Sequence, residues 1–193
     1  LCQFITWNIH SDFSFTNFRY QAILKTLQKL LPDIICLQEV TFDFLNLLLN
    51  EIWLQENNYY IIIMGNILDH NQKQSYGQLM LTKNFHARAF SICPLYLSED
   101  SSSIIQQEAK KYIIARFELH SEVTIDLINL HLNDVDEKRC QTLEYFFKTM
   151  NMQNYMLIGD FNFGDNHIKE QHILQKYQFQ IHDLWKDIYD IEE

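Results

Sequence analysis

Four glycines and two prolines are all that 193 residues contain, where average usage would give roughly 23 of the two together. Collagen-like, linker-like and loop-dominated architectures are excluded. Basic residues are also scarce: 15 Lys and Arg face 25 Asp and Glu, a net charge of −10. The longest basic clusters are Lys110-Lys111 and Lys138-Arg139, so the basic stripe of a protein that clamps a long duplex is missing. An anionic substrate would have to be held by a metal ion, or gripped over a short piece. No apolar run reaches the 18 residues of a membrane-spanning helix, and no secretory signal is visible. No C-x-x-C pair exists among Cys2, Cys36, Cys93 and Cys140. Cys2 and Cys36 lie in apolar runs and read as buried thiols. That usage fits a reducing compartment, so an intracellular location, cytoplasmic or nuclear, is expected. What is present is an ordinary globular balance, 47% hydrophobic and 21% charged. One domain over 1–193 follows, long enough to bury roughly 70% of its unfolded surface.

Apolar spacing orders the chain. Residues 2–9 read as a buried strand. Residues 18–31 place Ile23, Leu27, Leu30 and Leu31 at helical spacing, and Pro32 ends that helix. A strand over 34–38 precedes a helix over 42–55, with Phe44, Leu47, Leu48 and Ile52 on one face. Strands at 59–64 and 77–83 are joined by the polar stretch 66–76. A strand over 86–97 ends near Pro94, and the Ser-rich, acidic 99–108 reads as a mobile loop. Residues 111–119 and 123–131 form a hairpin. A helix over 135–150 puts Val135, Leu143, Phe146, Phe147 and Met150 on one face, with Lys138 and Arg139 outside. A strand over 154–159, a helix over 167–177 and a last strand near 178–183 complete the order. Consecutive strands mixed with helical crossovers indicate an α/β fold with a mixed sheet or two packed sheets.

Four of these strands end in polar residues of one kind: Asn8, Gln38-Glu39, Asn129 with His131, and Gly159-Asp160-Phe161-Asn162. A helical crossover makes the first two strands parallel and puts their tips at one rim, where α/β sheets favour ligand sites. Mg²⁺ takes one or two carboxylates plus waters and phosphate oxygens, so Glu39 suits a metal ligand. Asp160 could orient or deprotonate a water for in-line attack on phosphorus. Asn8 and Asn162 offer hydrogen bonds to phosphoryl oxygens without adding charge, and His131 could donate to charge developing in the transition state. Gly159 lets backbone pass close to the site. Other chemistries lack their motifs: there is no phosphate-binding G-x-x-x-x-G-K-[ST] loop, no G-x-G-x-x-G, no G-x-S-x-G and no H-E-x-x-H. His10, His70, His86, His120, His167 and His172 read as surface residues.

Taken together, Thr6-Trp7-Asn8, Leu37-Gln38-Glu39, Asn129-Leu130-His131-Leu132 and Gly159-Asp160-Phe161-Asn162 resemble the ordered motifs of the endonuclease/exonuclease/phosphatase superfamily. The T-W-N, L-Q-E and G-D-x-N triplets look most like its 5′-tyrosyl-DNA phosphodiesterase branch. Tyr76-Gly77 with Leu79-Met80-Leu81 resembles the family strand beside the site, which makes Tyr76 a substrate-binding candidate. Arg139 and Gln141 resemble the start of the family's later helix, and Asp183-Leu184-Trp185 its following segment. The resemblance implies a four-layer α/β sandwich, two packed mixed sheets with outer helices. It implies hydrolysis of a phosphodiester with Mg²⁺ or Mn²⁺, on a DNA end or other nucleic acid, in the manner of DNA repair. Glu39 would hold metal, Asp160 would position water, and Asn8, Asn162 and His131 would hold phosphate.

One departure bears on activity. The family ends its site with an Asp-His pair on a final strand, and none follows Asn162; His182-Asp183 has the opposite order. With a start at Leu1 inside a strand pattern, truncation at both ends is expected, with the last strands lacking and the chain severely impaired or inactive. Thr41 stands where the deoxyribonuclease pattern has Arg. The alternatives are a general nuclease or an inositol or lipid phosphatase of the same superfamily, and a non-catalytic remnant of the fold.

Overall fold

Alternation of side chains along extended backbone decides which layer each residue enters. The structure, a computed structural model, describes residues 2–11, 16–63, 76–83, 87–94, 111–120, 123–149, 154–164 and 166–177. Its first sheet contains β1 (Phe4–Asn8), β2 (Ile34–Thr41), β3 (Tyr59–Ile63) and β4 (Tyr76–Lys83) in the order β1-β2-β4-β3. Its second contains β5 (Ala89–Pro94), β6 (Lys111–His120), β7 (Val123–His131) and β8 (Tyr155–Asp160) in sequence order. The helices are α1 (Thr16–Leu30), α2 (Phe42–Leu49), α3 (Ile52–Glu56), α4 (Asp136–Thr149) and α5 (Ile168–Lys176). The pairs β1/β2 and β7/β8 are parallel and the rest antiparallel. Each parallel pair is joined through a helix, α1 or α4, as parallel geometry requires.

In β2, Ile35 and Leu37 join Leu79 and Leu81 of β4 against α1–α3. Ile34 and Cys36 turn the other way and meet Ile113, Ala115, Phe117 and Leu127 of the second sheet. On the far side of that sheet, Ile128 and Leu130 pack on Leu143, Phe146 and Phe147 of α4 and Ile173 of α5. Helices, sheet, sheet and helices form four layers, as expected from the resemblance. No helix among the described residues is long and apolar enough to cross a membrane.

Several local expectations change. The helix over 42–55 is two helices: Asn50 closes α2 with its side-chain amide donating to the Asn46 carbonyl, and Glu51 is extended. Asn competes with helical hydrogen bonding in this way. The break turns Ile52 into solvent, and Leu30 and Val135 are exposed too. Cys2 is exposed, whereas Cys36 is buried; the apolar run that begins at Cys2 becomes strand only from Phe4. The last strand near 178–183, Asp183-Leu184-Trp185, the loop 99–108 and most of 66–76 lie outside the described residues.

Arg139 reverses its expected position on the outer face of its helix. Only 1% of it is exposed. Its guanidinium donates to Glu170 of α5 at 2.8 Å and to the carbonyls of Asn133 and Asp134 at 3.1 and 2.9 Å. Helical periodicity assigned it to solvent, but α5 covers that flank and supplies the buried carboxylate. Removing one partner of a buried pair strands the other's charge. Arg139→Ala is therefore expected to lower unfolding free energy by about 3–5 kcal/mol, measured by urea denaturation, with Arg139→Met plus Glu170→Leu restoring most of the loss.

Candidate active site

Asn8 ends β1, and its side chain joins the two halves of the molecule. Its Nδ2 donates to Glu39 Oε1 at 2.9 Å and to Asp160 Oδ2 at 2.7 Å. The His10 backbone N–H donates to Asn8 Oδ1 at 2.9 Å and fixes the amide's orientation. His131 Nε2 lies 3.9 Å from Glu39 Oε1 and 3.8 Å from Asp160 Oδ2, the same two oxygens. Thus β1, β2, β7 and β8 each deliver one side chain to one point, where the two parallel pairs end together.

Glu39 reaches that point through a bulge. The β2/β4 register passes from Leu37↔Leu79 to Val40↔Gly77, so Gln38 and Glu39 together oppose Gln78. Glu39 takes φ +57°, uncommon for a residue with a Cβ. Bulges re-aim side chains in this way beside functional sites. Val40 regains the helix-facing core, and Glu39 is freed to face the rim. Asn162 and His10 also adopt left-handed backbone, at +55° and +59°. Leu31 and Asn58 share that conformation away from this point, among the described residues.

Each carboxylate is held on its second oxygen as well as by Asn8 on its first. Ser11 donates to Glu39 Oε2 from both N–H and hydroxyl at 2.8 Å. The Asn162 backbone N–H donates to Asp160 Oδ1 at 2.9 Å, and the Asn162 amide to the Leu132 carbonyl at 2.8 Å. Burial pushes the Glu39 carboxyl up, but the Ser11 and Asn8 hydrogen bonds and His131 outweigh it and hold it below its ordinary value of 4.5. A carboxylate lowered on folding adds stability that is present above 4.5 and lost as pH falls through the folded value. Glu39→Gln should therefore flatten the acid-side decline in unfolding free energy below about pH 4.5, read by urea titrations at several pH values.

Gly159 closes the approach of β8 to β7. Its φ is +139°, and a Cβ there would meet the Leu130 carbonyl oxygen at 1.9 Å. Tyr76, opposite Thr41 in the ladder, is 40% exposed. Burial first, then the charges of Glu39 and Asp134, push its phenol up.

Asn8, Glu39, His131, Asp160 and Asn162 are thus brought together, with Tyr76 at the edge. Asn129 is not at the rim: it is fully buried between the sheets. Two contributors escaped the sequence reading. One is Ser11, which holds Glu39; the other is the reach of His10, exposed as expected but with Nδ1 3.9 Å from Glu39 Oε2. The polar His10-Ser11 step straight after the apolar Ile9 was the available signal.

Neither site carboxylate is paired with a Lys or Arg among the described residues. Two adjacent carboxylates with no Lys or Arg against them attract a cation, and oxygen donors suit Mg²⁺ or Mn²⁺. No group of three or more His, Cys, Asp and Glu forms a cage among the described residues. Waters and phosphate oxygens complete a Mg²⁺ shell of this kind, so the donor set fits.

A profile described as the endonuclease/exonuclease/phosphatase family matches residues 5–175. No curated protein sequence matches the chain. Among solved structures it is similar to TDP2 from Caenorhabditis elegans, at 18% identity and TM-score 0.58, covering 86% of this chain and 48% of that one. ANGEL2, a 2′,3′-cyclic phosphatase solved with adenosine-2′,3′-vanadate, is similar at 18% identity and TM-score 0.60, covering 83% and 53%. An endonuclease/exonuclease/phosphatase protein from Bacteroides vulgatus gives 19% identity and TM-score 0.67, covering 90% and 70%. The chain spans about half the length of the first two.

Proposed function

This chain belongs to the endonuclease/exonuclease/phosphatase family, and from that premise we propose that it is a phosphodiester hydrolase dependent on Mg²⁺ or Mn²⁺, its favoured substrate a 5′-tyrosyl adduct on a DNA end. One observation carries the reading: a single amide, Asn8 Nδ2, bridges the carboxylates of Glu39 and Asp160, with His131 against both. Glu39, ionised and steadied by Ser11, would hold the metal, whose charge when bound would stabilise the phosphoryl oxygens. Asp160 accepts a proton from the attacking water, its unused oxygen pinned by the Asn162 N–H. His131 donates a hydrogen bond to the charge that develops on phosphorus-bound oxygen. Asn162 would orient the phosphate through its amide, and Asn8 would do so once phosphate replaces one of the carboxylates that its two N–H groups now hold, while Tyr76 lines the approach. A net charge of −10 suits a substrate held at its end rather than along a duplex. A DNA-end substrate goes with an intracellular site of action, cytoplasmic or nuclear.

The likeness to ANGEL2 favours a second reading, in which the substrate is a 2′,3′-cyclic phosphate. Tyrosyl-DNA, plain duplex DNA, a 2′,3′-cyclic nucleotide and an inositol phosphate, assayed side by side, separate the two. In every productive case, EDTA is expected to abolish turnover of the full-length protein and added Mg²⁺ or Mn²⁺ to restore it. Full activity in EDTA would end the metal-dependent reading.

A further inference from the structure

A bulge that carries a functional residue needs its displaced main-chain groups satisfied, because buried polar groups left unpaired are costly. Here the neighbouring sheet supplies the partner. Asn129 of β7 is fully buried, and its Nδ2 donates to the Leu37 carbonyl at 3.3 Å and the Leu79 carbonyl at 3.0 Å. Leu37 and Leu79 are the last pair in register before the bulge. Gln38, also buried, completes the arrangement. Its Nε2 donates to Asn129 Oδ1 at 2.8 Å, to Thr6 Oγ1 at 3.1 Å and to the Cys36 carbonyl at 3.2 Å. The Gln38 carbonyl accepts from the Ile9 N–H at 3.0 Å. Every one of these contacts grips β1, β2 or β4 within two residues of Asn8, Glu39 or the bulge.

We infer that Asn129 and Gln38 are positioning residues that hold the β2 bulge in the shape that points the Glu39 carboxylate at the site. The inference rests on the metal role of Glu39 proposed above. Neither residue touches the reacting groups. Asn129 acts from the second sheet, so the direction of Glu39 depends on how the sheets dock. A purely structural role would make Asn129 one more core residue, whose loss lowers stability and nothing else. A positioning role makes metal affinity fall out of proportion to stability.

The test is Mn²⁺ binding by calorimetry, with the unfolding midpoint recorded for each protein. Asn129→Leu removes the donor while keeping approximate volume, and is expected to weaken Mn²⁺ binding roughly 10–100-fold, the usual effect of losing an outer-shell partner. Gln38→Met, a milder change, is expected to weaken it roughly tenfold and serves if Asn129→Leu does not fold. Phe117→Leu, in the same inter-sheet layer, lowers the midpoint without changing Mn²⁺ affinity. In a Glu39→Gln background, Asn129→Leu should add no further loss of affinity. Mn²⁺ affinity within twofold of the parent in a folded Asn129→Leu or Gln38→Met protein overturns the inference and leaves the metal reading standing. Failure of the parent itself to bind Mn²⁺ overturns both.

Discussion

Asp160→Asn is expected to lower phosphodiester hydrolysis by the full-length protein by roughly 10²–10⁴-fold, the worth of a positioned general base. The substitution keeps the size and planar shape of the side chain. The Asn162 N–H can still donate to its remaining oxygen, as it does to Oδ1 at 2.9 Å in Asp160. What is lost is the oxygen that faces Asn8 Nδ2 at 2.7 Å and could take a proton from water. The lesion falls first on the chemical step, so kcat drops; the new amide also sets a donor against Asn8 Nδ2 and releases the Asn8–Asp160 bridge, so KM changes by less than kcat. Single-turnover rates with an activated phosphodiester, alongside an unfolding curve that overlays the parent, measure this. A rate within threefold of the parent would remove Asp160 from the mechanism.

The largest effect on folding is expected at Gly159. Alanine there must accommodate a Cβ 1.9 Å from the Leu130 carbonyl oxygen, with neighbouring backbone atoms of Leu130 at 2.9 Å. No rotamer can relieve this, since both partners are main chain in a paired ladder, Leu130 opposite Gly159. The φ of +139° adds strain of about 1–3 kcal/mol, and forced separation of packed strands about 1–3 kcal/mol more. Against the 5–15 kcal/mol of a typical domain, Gly159→Ala leaves the protein marginal. Urea denaturation should show a midpoint far below the parent's. Retention of the parent midpoint would mean that β8 can move away from β7 without cost.

Much of this site could be read from the chain because strand ends are local. Asn8, Glu39, His131 and Asp160 each terminate an apolar run, and the helices after β1 and β7 force parallel partners whose tips coincide. What escaped was set by contacts between distant segments. Arg139 lies on a flank that helical spacing assigns to water, until α5 arrives with Glu170. The helix over 42–55 breaks where an Asn side chain captures a main-chain carbonyl, a competition that apolar spacing does not register. Asn129 shared the polar strand-end pattern of His131, but two residues upstream places it beneath the other sheet. The bulge at Gln38-Glu39 has no signature in residue type at all: the side chains alternate plausibly, and only the partner strand shows that one residue is extra.

The bridge from Asn8 to Asp160 spans 152 positions of sequence. Its two anchors are therefore made far apart in time as the ribosome elongates the polypeptide, and a nascent fragment ending before β8 holds Glu39 without Asp160. The pairing of the two carboxylates through one amide therefore forms late, together with the docking of the second sheet.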